Sequence, residues 1–518
     1  MKIAIRVDAS SAMGTGHLRR SLALAAALRA HGGDVVFVTR DLGLDPRAMI
    51  AEAGFEKVEE LPAPDAATFS ADPAIAHSAW GAVSQRIDAD ETVTALAPDT
   101  PDWVVIDSYA FGADWHRAVR EGLGCAVAAI DDLADRAMAC DLVIDHNPAR
   151  SHRAKYADVA PDIRVLGGPR FALLGPAFAS APRYAFSEEV AAVGVFMGGV
   201  DAGGHSLAAL DAIERAGFAG PVEVVSTSAN PRLSDLRERV HARPLTTLSV
   251  DLPDLTAFFA RHDLQIGAGG GASWERCCIG APTLLVVLAA NQEAVAPRLA
   301  EDGVVALAAD PSVQAIAEAL GPLLANSHLR RGLADKSRAL VDGRGAERVA
   351  LALLAQSLTL RKARPEDARA MFDWRDHPAT RAASRTQVPL EWEAHRNWLD
   401  RTLADPQRLL FVAEIGGRAV GVIRFDIEPA PRAHPSAEVS LYCDPDLLGL
   451  GLGSRLLAAG ESALAARLSE GTITATVRED NAASQRLFSA SGYERIGATR
   501  FQKSMASAQP LPAARHRD

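Results

Sequence analysis

Short apolar runs punctuate the first third of the chain: IAIRV (3–7), VVFVT (35–39), WVVID (103–107), AVAAID (126–131) and LVID (142–145). Between them lie Ala/Leu-rich stretches with helical spacing. Near-continuous apolar runs are strands buried on both faces, and their alternation with helical patterns predicts a parallel sheet covered on both sides. The rhythm restarts with AAVGVFMGG (191–199), VEVVSTS (222–228), LQIGAGGG (264–271) and TLLVVL (283–288), then closes in helices to about residue 356. The Gly/Pro-rich LGGPRFALLGPAFASAPR (166–183) between the two halves reads as a linker. Two α/β halves joined in this way predict a ligand cleft at their junction.

The pattern changes at LRKARPEDARAMFDWR (360–375). LLFVAEIGGRAVGVIRFDI (409–427) predicts two strands joined by a tight turn at Gly416 and Gly417. EVSLYCD (438–444), a Gly-rich turn and a helical run follow. These strands read as antiparallel, which makes a separate α+β unit. The expected domains are 1–175, 176–356 and 357–505, with 506–518 a disordered tail.

Composition narrows the partners. The 518 residues carry a net charge of -11, which argues against a general nucleic-acid binder. An anionic ligand must then be held by local donors. The five cysteines have neither zinc nor disulfide-framework spacing. The opening MKIAIRVDAS reads as a strand rather than a leader peptide, and no apolar run approaches the ~18 residues of a membrane span. A soluble, cytoplasmic enzyme is expected.

The chemistry begins in VDASSAMGTGHLRRSLALAAAL (7–28), where a strand, a loop with Gly14 and Gly16, and a helix follow one another around His17. This is not the dinucleotide fingerprint, because Arg19 stands where its third glycine belongs. It is not a P-loop either, since no Gly-Lys-Ser/Thr follows. The glycines suit a tight turn and close ligand approach. At a helix N-terminus the dipole disfavours imidazolium, so His17 reads either as a proton acceptor or as a simple helix-end polar filler. After the second half's third strand come Gly269, Gly270 and Gly271, then Ser273 and Glu275, a helix start suited to a diphosphate. Gly198 and Gly199 form another phosphate-side candidate. Asp131, Asp132 and Asp135 could hold Mg²⁺ but are read as positioning or loop residues, with no metal expected. Asp107, Ser108 and Tyr109 end a strand, and Tyr109 is a candidate sugar contact.

VDASSAMGTGHLRR, IDDLADRAMACDLVIDHN (130–147) and IGAGGGASWERCCIGAPTLLVVLAANQ (266–292) together resemble the nucleotide-sugar hydrolases of pseudaminic acid synthesis, over roughly residues 1–350. Those enzymes act on UDP-2,4-diacetamido-2,4,6-trideoxy-β-L-altropyranose. The resemblance implies a GT-B-like fold of two Rossmann-like domains with the UDP-sugar in the cleft. It implies that His17 activates water for attack at the anomeric carbon, releasing UDP and free sugar with inversion. It also implies that Glu275 accepts hydrogen bonds from the ribose and that Asn291 and Gln292 line the nucleotide site.

EVSLYCDPDLLGLGLGSRLLAAGESAL (438–464) and VREDNAASQRLFSASGYERIG (477–497) resemble the GNAT N-acetyltransferases over about residues 358–505. The resemblance implies that Gly449, Gly451 and Gly453 present backbone N–H groups to the pyrophosphate of acetyl-CoA, and that Asn481 is the asparagine of the later motif. Two positions depart from the family. Leu448 replaces the usual Arg or Gln, and Phe488 stands where a tyrosine general acid is often found. Tyr493 is near but off the pattern. Glu438 is a candidate base for the attacking amine. The combined expectation is a bifunctional enzyme that N-acetylates a UDP-4-amino sugar and then hydrolyses the UDP-linked product. The alternatives are a GT-B glycosyltransferase and a nucleotide-sugar-binding scaffold with a degenerate acetyltransferase.

Overall fold

The computed structural model describes residues 1–10, 13–64, 69–428, 435–468 and 470–505. The tail expected from 506 onward lies outside the described residues. The chain divides into two compact units, Met1–Ala350 and Leu351–Asp518.

The first unit contains two parallel sheets. One is built from β1 (Lys2–Val7), β2 (Asp34–Thr39), β3 (Val58–Glu60), β4 (Trp103–Asp107), β5 (Ala126–Ile130), β6 (Leu142–Asp145) and β7 (Arg164–Gly167), in the order β3-β2-β1-β4-β5-β6-β7. The other is built from β8 (Val193–Phe196), β9 (Val222–Ser226), β10 (Thr246–Val250), β11 (Leu264–Ala268), β12 (Thr283–Val286) and β13 (Ala306–Leu307), in the order β10-β9-β8-β11-β12-β13. The central strands are buried because both faces carry helices: β1 is buried from Ile3 to Val7 and β11 throughout. This is the expected pair of Rossmann-like domains of GT-B type.

Each sheet reverses its strand order once, between β1 and β4 in the first and between β8 and β11 in the second. A crevice opens at such a reversal, beyond the C-terminal ends of the strands. The loops carrying Gly14–His17 and Asp107 leave one crevice, and those carrying Gly198–Gly199 and Gly269–Gly271 leave the other. The register confirms the first pairing, with Val7 opposite Asp107.

The segment expected to be a linker is not one. Its first residues complete β7, Pro176–Ser180 is helical, and Phe171, Ala172, Leu173, Leu174 and Phe178 are buried. Its apolar side chains outweigh its glycines and prolines. Arg348 donates to the Arg170 carbonyl at 3.0 Å, and a Cβ on Gly345 would stand 2.3 Å from the Ala172 oxygen. The later chain is therefore pressed against this stretch.

The second unit holds one seven-stranded sheet: β14 (Thr359–Lys362), β15 (Arg408–Ile415), β16 (Arg418–Glu428), β17 (Ser436–Cys443), β18 (Gly471–Thr476), β19 (Glu494–Arg495) and β20 (Arg500–Met505), ordered β14-β15-β16-β17-β18-β20-β19. The hairpin turn falls at Gly416–Gly417, both with positive φ. The sheet is mixed rather than purely antiparallel, because β17 and β18 run parallel. The Leu452–Ala465 helix between them supplies the crossover that a parallel pair needs.

Candidate functional sites

His17 is the second residue of the Gly16–Ala30 helix and is buried. Its Nδ1 lies 2.6 Å from Asp107 Oδ1. The same carboxylate accepts from Arg20 Nε at 2.7 Å and Nη2 at 2.5 Å, and from Ser21 Oγ at 3.1 Å. Burial alone would raise the Asp107 pKa, but Arg20 and then His17 outweigh it and hold the carboxyl well below the usual range. An ionised Asp107 accepts a hydrogen bond from Nδ1–H and so leaves Nε2 as the lone-pair nitrogen, with no hydrogen-bond partner among the described residues.

The surrounding polar groups form one continuous network. Tyr109 donates to Asp132 at 2.5 Å and stands edge-on to His17, with ring centroids 4.7 Å apart. Burial pushes the Tyr109 phenol well above its ordinary pKa. Asn147 donates to the other Asp132 oxygen at 2.9 Å. Asp131 pairs with Arg136 at 2.7 Å, as does Asp135 at 3.0 Å. The acidic cluster is thus consumed by Tyr, Asn and Arg donors. Among the described residues no group of three or more His, Cys, Asp or Glu could hold a metal ion.

Gly14 has φ +70°, and a Cβ at Gly14 or Gly16 would meet nothing within 4 Å, so the loop faces open space. Thr15 makes no side-chain cap to the helix, leaving its first N–H groups for another acceptor. The Gly271–Ile279 helix has the same character. Gly270 precedes it at φ +92° without a side-chain cap, and a Cβ on Gly271 would also meet nothing within 4 Å. Glu275 sits one turn in, half-buried and without a hydrogen-bond partner among the described residues. Burial raises its pKa to about 7, against the pull of Arg19 at the start of the His17 helix. His146 and Trp274 make a second link across the halves, with ring centroids 6.1 Å apart.

Other expected ligand residues have structural commitments. The Ser273 hydroxyl is buried and accepts from Arg276 at 3.3 Å. Gln292 Oε1 accepts from the Leu288 N–H at 2.9 Å and stands beside Gly269, where a Cβ would come within 2.8 Å of it. Asn291 is exposed. Gly198 has φ +100° and open space, while the Gly199 carbonyl accepts from Thr227 at 2.6 Å. The next helix is already capped by Asp201, which accepts from the N–H groups of His205 and Ser206. Only the Gly198–Gly199 loop itself is therefore open there.

In the second unit, Gly449 (φ +86°) and Gly451 (φ +72°) shape an uncapped helix start, and a Cβ on Gly453 would make ordinary contact with Leu487 at 3.5 Å. Pairing of β17 with β18 ends at Val439 and Ala475 although β17 runs on to Cys443. That edge of residues 440–443 stays open beside the Gly-rich turn. Glu438 Oε1 accepts from Thr476 Oγ1 at 2.9 Å and Arg385 Nη2 at 3.1 Å. Asn481 caps the Ala482–Ala490 helix by accepting from the Ser484 N–H at 3.0 Å, and donates to the Ala383 carbonyl at 3.1 Å. Leu448 is exposed. Phe488 is core, packed against Tyr493 and Phe501.

Arg20, His146 and Asn147 were not singled out as site residues from the sequence, whereas Asp132 was named there as a positioning or loop residue. Arg20 stands three places after His17 and so on the same helix face, a spacing that sequence can show. His146 needed the adjacency of β5 and β6, which brings it towards Asp132.

Residues 368–493 match the acetyltransferase (GNAT) family. The spore coat polysaccharide biosynthesis protein SpsG of Bacillus subtilis (strain 168) is 27% identical over 198 residues, 37% of this chain and 58% of SpsG, so the match spans little more than half of that relative. Among solved structures, MurG of Acinetobacter baumannii is similar at TM-score 0.48 and 15% identity over 68% of this chain and 98% of its own. The ribosomal-protein-alanine N-acetyltransferase of Brucella melitensis is similar at TM-score 0.26 and 24% identity over 28% of this chain and 99% of its own. The chain therefore carries a GNAT acetyltransferase domain towards its C-terminal end, preceded by an SpsG-like part with two Rossmann-like sheets of GT-B type.

Proposed function

We propose that the first unit hydrolyses a UDP-linked sugar, UDP-2,4-diacetamido-2,4,6-trideoxy-β-L-altropyranose, and that the GNAT domain N-acetylates the 4-amine of its precursor. The observation that carries the hydrolase reading is the His17–Asp107 pair at the mouth of an open glycine loop. Asp107 orients the ring, and Nε2 takes a proton from water as the water oxygen attacks the anomeric carbon. The bond from that carbon to the diphosphate oxygen breaks, and UDP leaves with the electron pair. Backbone N–H groups at the Gly270–Gly271 helix start face the diphosphate, and Glu275 accepts from the ribose hydroxyls. The similarity to a spore coat polysaccharide biosynthesis protein supports a place in the making of surface sugars.

Acetyl-CoA supplies an activated acetyl group for the second activity. The Gly449–Gly453 turn and the open 440–443 edge fit an elongated, anionic cosubstrate, and Glu438 accepts the proton that the amine loses. The experiment is incubation of the chain with the UDP-4-amino sugar, with and without acetyl-CoA, followed by mass spectrometry. Acetylated free sugar and UDP in the first arm support both activities. UDP release that needs an added sugar acceptor would instead make the first unit a glycosyltransferase.

A further inference from the structure

The face of the GNAT sheet that carries Glu438 also holds arginines with too few partners. Side chains alternate across β16 and β17, and the register sets Asp426 opposite Glu438, Arg424 opposite Ser440 and Val422 opposite Tyr442. The opposite face, with Ile423 and Phe425, lies under Gly460 of the Leu452–Ala465 helix, where a Cβ would meet both side chains. The polar face is covered instead by the Ala368–Asp376 and Trp392–Ala404 helices. Tyr442 reaches the Met371 carbonyl at 3.5 Å, and the Arg424 guanidinium lies 5.6 Å from the centre of the Trp398 ring.

Arg375, on the first of these helices, is half-buried and makes no hydrogen bond or ion pair among the described residues. Its Nη1 is fully buried without a partner, and so is Nε of Arg424. Of the carboxylates nearby, Asp376 and Glu438 are committed to other arginines and Asp426 is the partner of Arg424. Asp376 pairs with Arg381 at 3.0 Å and accepts from the Leu390 N–H at 2.7 Å. Asp426 pairs through Oδ2 with Arg424 at 2.8 Å, while its Oδ1 lies 3.4 Å from Arg408 and makes no hydrogen bond. Glu438 is paired with Arg385. Burial, not a carboxylate, dominates the surroundings of Arg375 and lowers its pKa, and the Arg424 charge acts in the same direction. Arg375 has no counter-ion of its own, and unmet buried donors such as its Nη1 and Arg424 Nε are costly unless an acceptor completes them.

We propose that Arg375 and Arg424 hold the diphosphate of the acetyl acceptor, so that the accepting amine is one carried on a nucleoside diphosphate. This rests on the reading of the domain as an acetyltransferase of a nucleotide-linked amino sugar. Planar guanidinium forks match paired phosphate oxygens. The site is separate from the acetyl-CoA turn, because the helix that opens at Leu452 packs on the other face of the sheet. It shares its face with Glu438, as an acceptor site must.

The test is steady-state acetyl transfer by the full chain to three amines: the UDP-linked amino sugar, its 1-phosphate and the free amino sugar. Arg375→Ala is expected to raise KM for the UDP-linked amine by about tenfold or more. KM for acetyl-CoA and turnover of the free amine should stay the same, and Arg375→Lys should restore part of the loss. UDP should compete with the amine in the unsubstituted chain and compete less in Arg375→Ala. Arg375 has no internal partner to lose, so the variant should melt with the unsubstituted chain. Unchanged KM for the UDP-linked amine, or equal use of free and UDP-linked amines by the unsubstituted chain, overturns this inference alone. Failure of the unsubstituted chain to acetylate any UDP-linked amine overturns the parent reading as well.

Discussion

The imidazole of His17 is held by Asp107, a carboxylate with no exposed side-chain surface that is itself gripped by Arg20 and Ser21. Glu438 has a side chain 36% exposed and leans on Arg385, whose own is 62% exposed. Both take a proton in the reactions proposed above, but they are held by different means. Removing one partner of a buried charge network strands the other and costs about 3–5 kcal/mol. An exposed pair contributes about 0–1 kcal/mol and rearranges freely. The His17 imidazole is therefore preorganised by the fold, whereas the Glu438 carboxylate is free to turn.

The largest effect should come from breaking the rigid pair. His17→Ala is expected to lower UDP release by roughly two to four orders of magnitude with little change in UDP affinity. Asp107→Asn should also depress turnover, because an amide no longer enforces the Nδ1–H tautomer, and should lower the melting temperature because Arg20 loses its counter-charge. Near-normal turnover in a folded His17→Ala chain would remove His17 from the chemistry.

A smaller effect is expected in the second unit. Glu438→Gln should slow acetyl transfer by about 10- to 100-fold. Arg385→Ala should change it by no more than about threefold if the pair is as loose as its exposure indicates. An Arg385→Ala loss as large as that of Glu438→Gln would mean the two sites are equally rigid.

Gly451→Asp tests whether the sites can be separated. The new carboxylate would stand at a helix start shaped by φ +72° and repel a pyrophosphate. KM for acetyl-CoA should rise about tenfold or more while UDP release stays unchanged. Parallel loss of both activities would refute independence of the two sites.

The smallest effect concerns Glu275. Its pKa is raised from 4.5 to about 7 by burial, so the folded protein prefers the protonated form. Folding is then unopposed below pH 4.5 and loses on the order of 1–3 kcal/mol as pH climbs through 7. Glu275→Gln should melt about 2 °C higher than the unsubstituted chain at pH 8 and level with it near pH 4.5. It should nevertheless bind UDP about tenfold more weakly at pH 8, measured by calorimetry. Unchanged UDP affinity would make Glu275 a buried acid without a ribose role.

Much of the fold was legible in the sequence because apolar runs and helical spacing are local signals. The strands around 3–7, 103–107 and 264–268, the Gly416–Gly417 turn and the change of architecture near 360 all follow from them. Segment 166–183 misled because Gly and Pro mark a break in regular structure without saying whether the chain between them is buried. The parallel β17–β18 pair was also hidden, since strand direction depends on the crossover helix. His17 and the four candidate glycine turns could be found by type and position. That Asp107 grips His17, and that Arg375 is left without an ion pair while Arg424 holds Asp426, could not. Those residues are far apart in sequence, and only strand order and side-chain alternation bring them together. Local sequence therefore determined which elements form and where glycines free the backbone. Tertiary structure decided which charges are paired, because pairing is set by distance and burial.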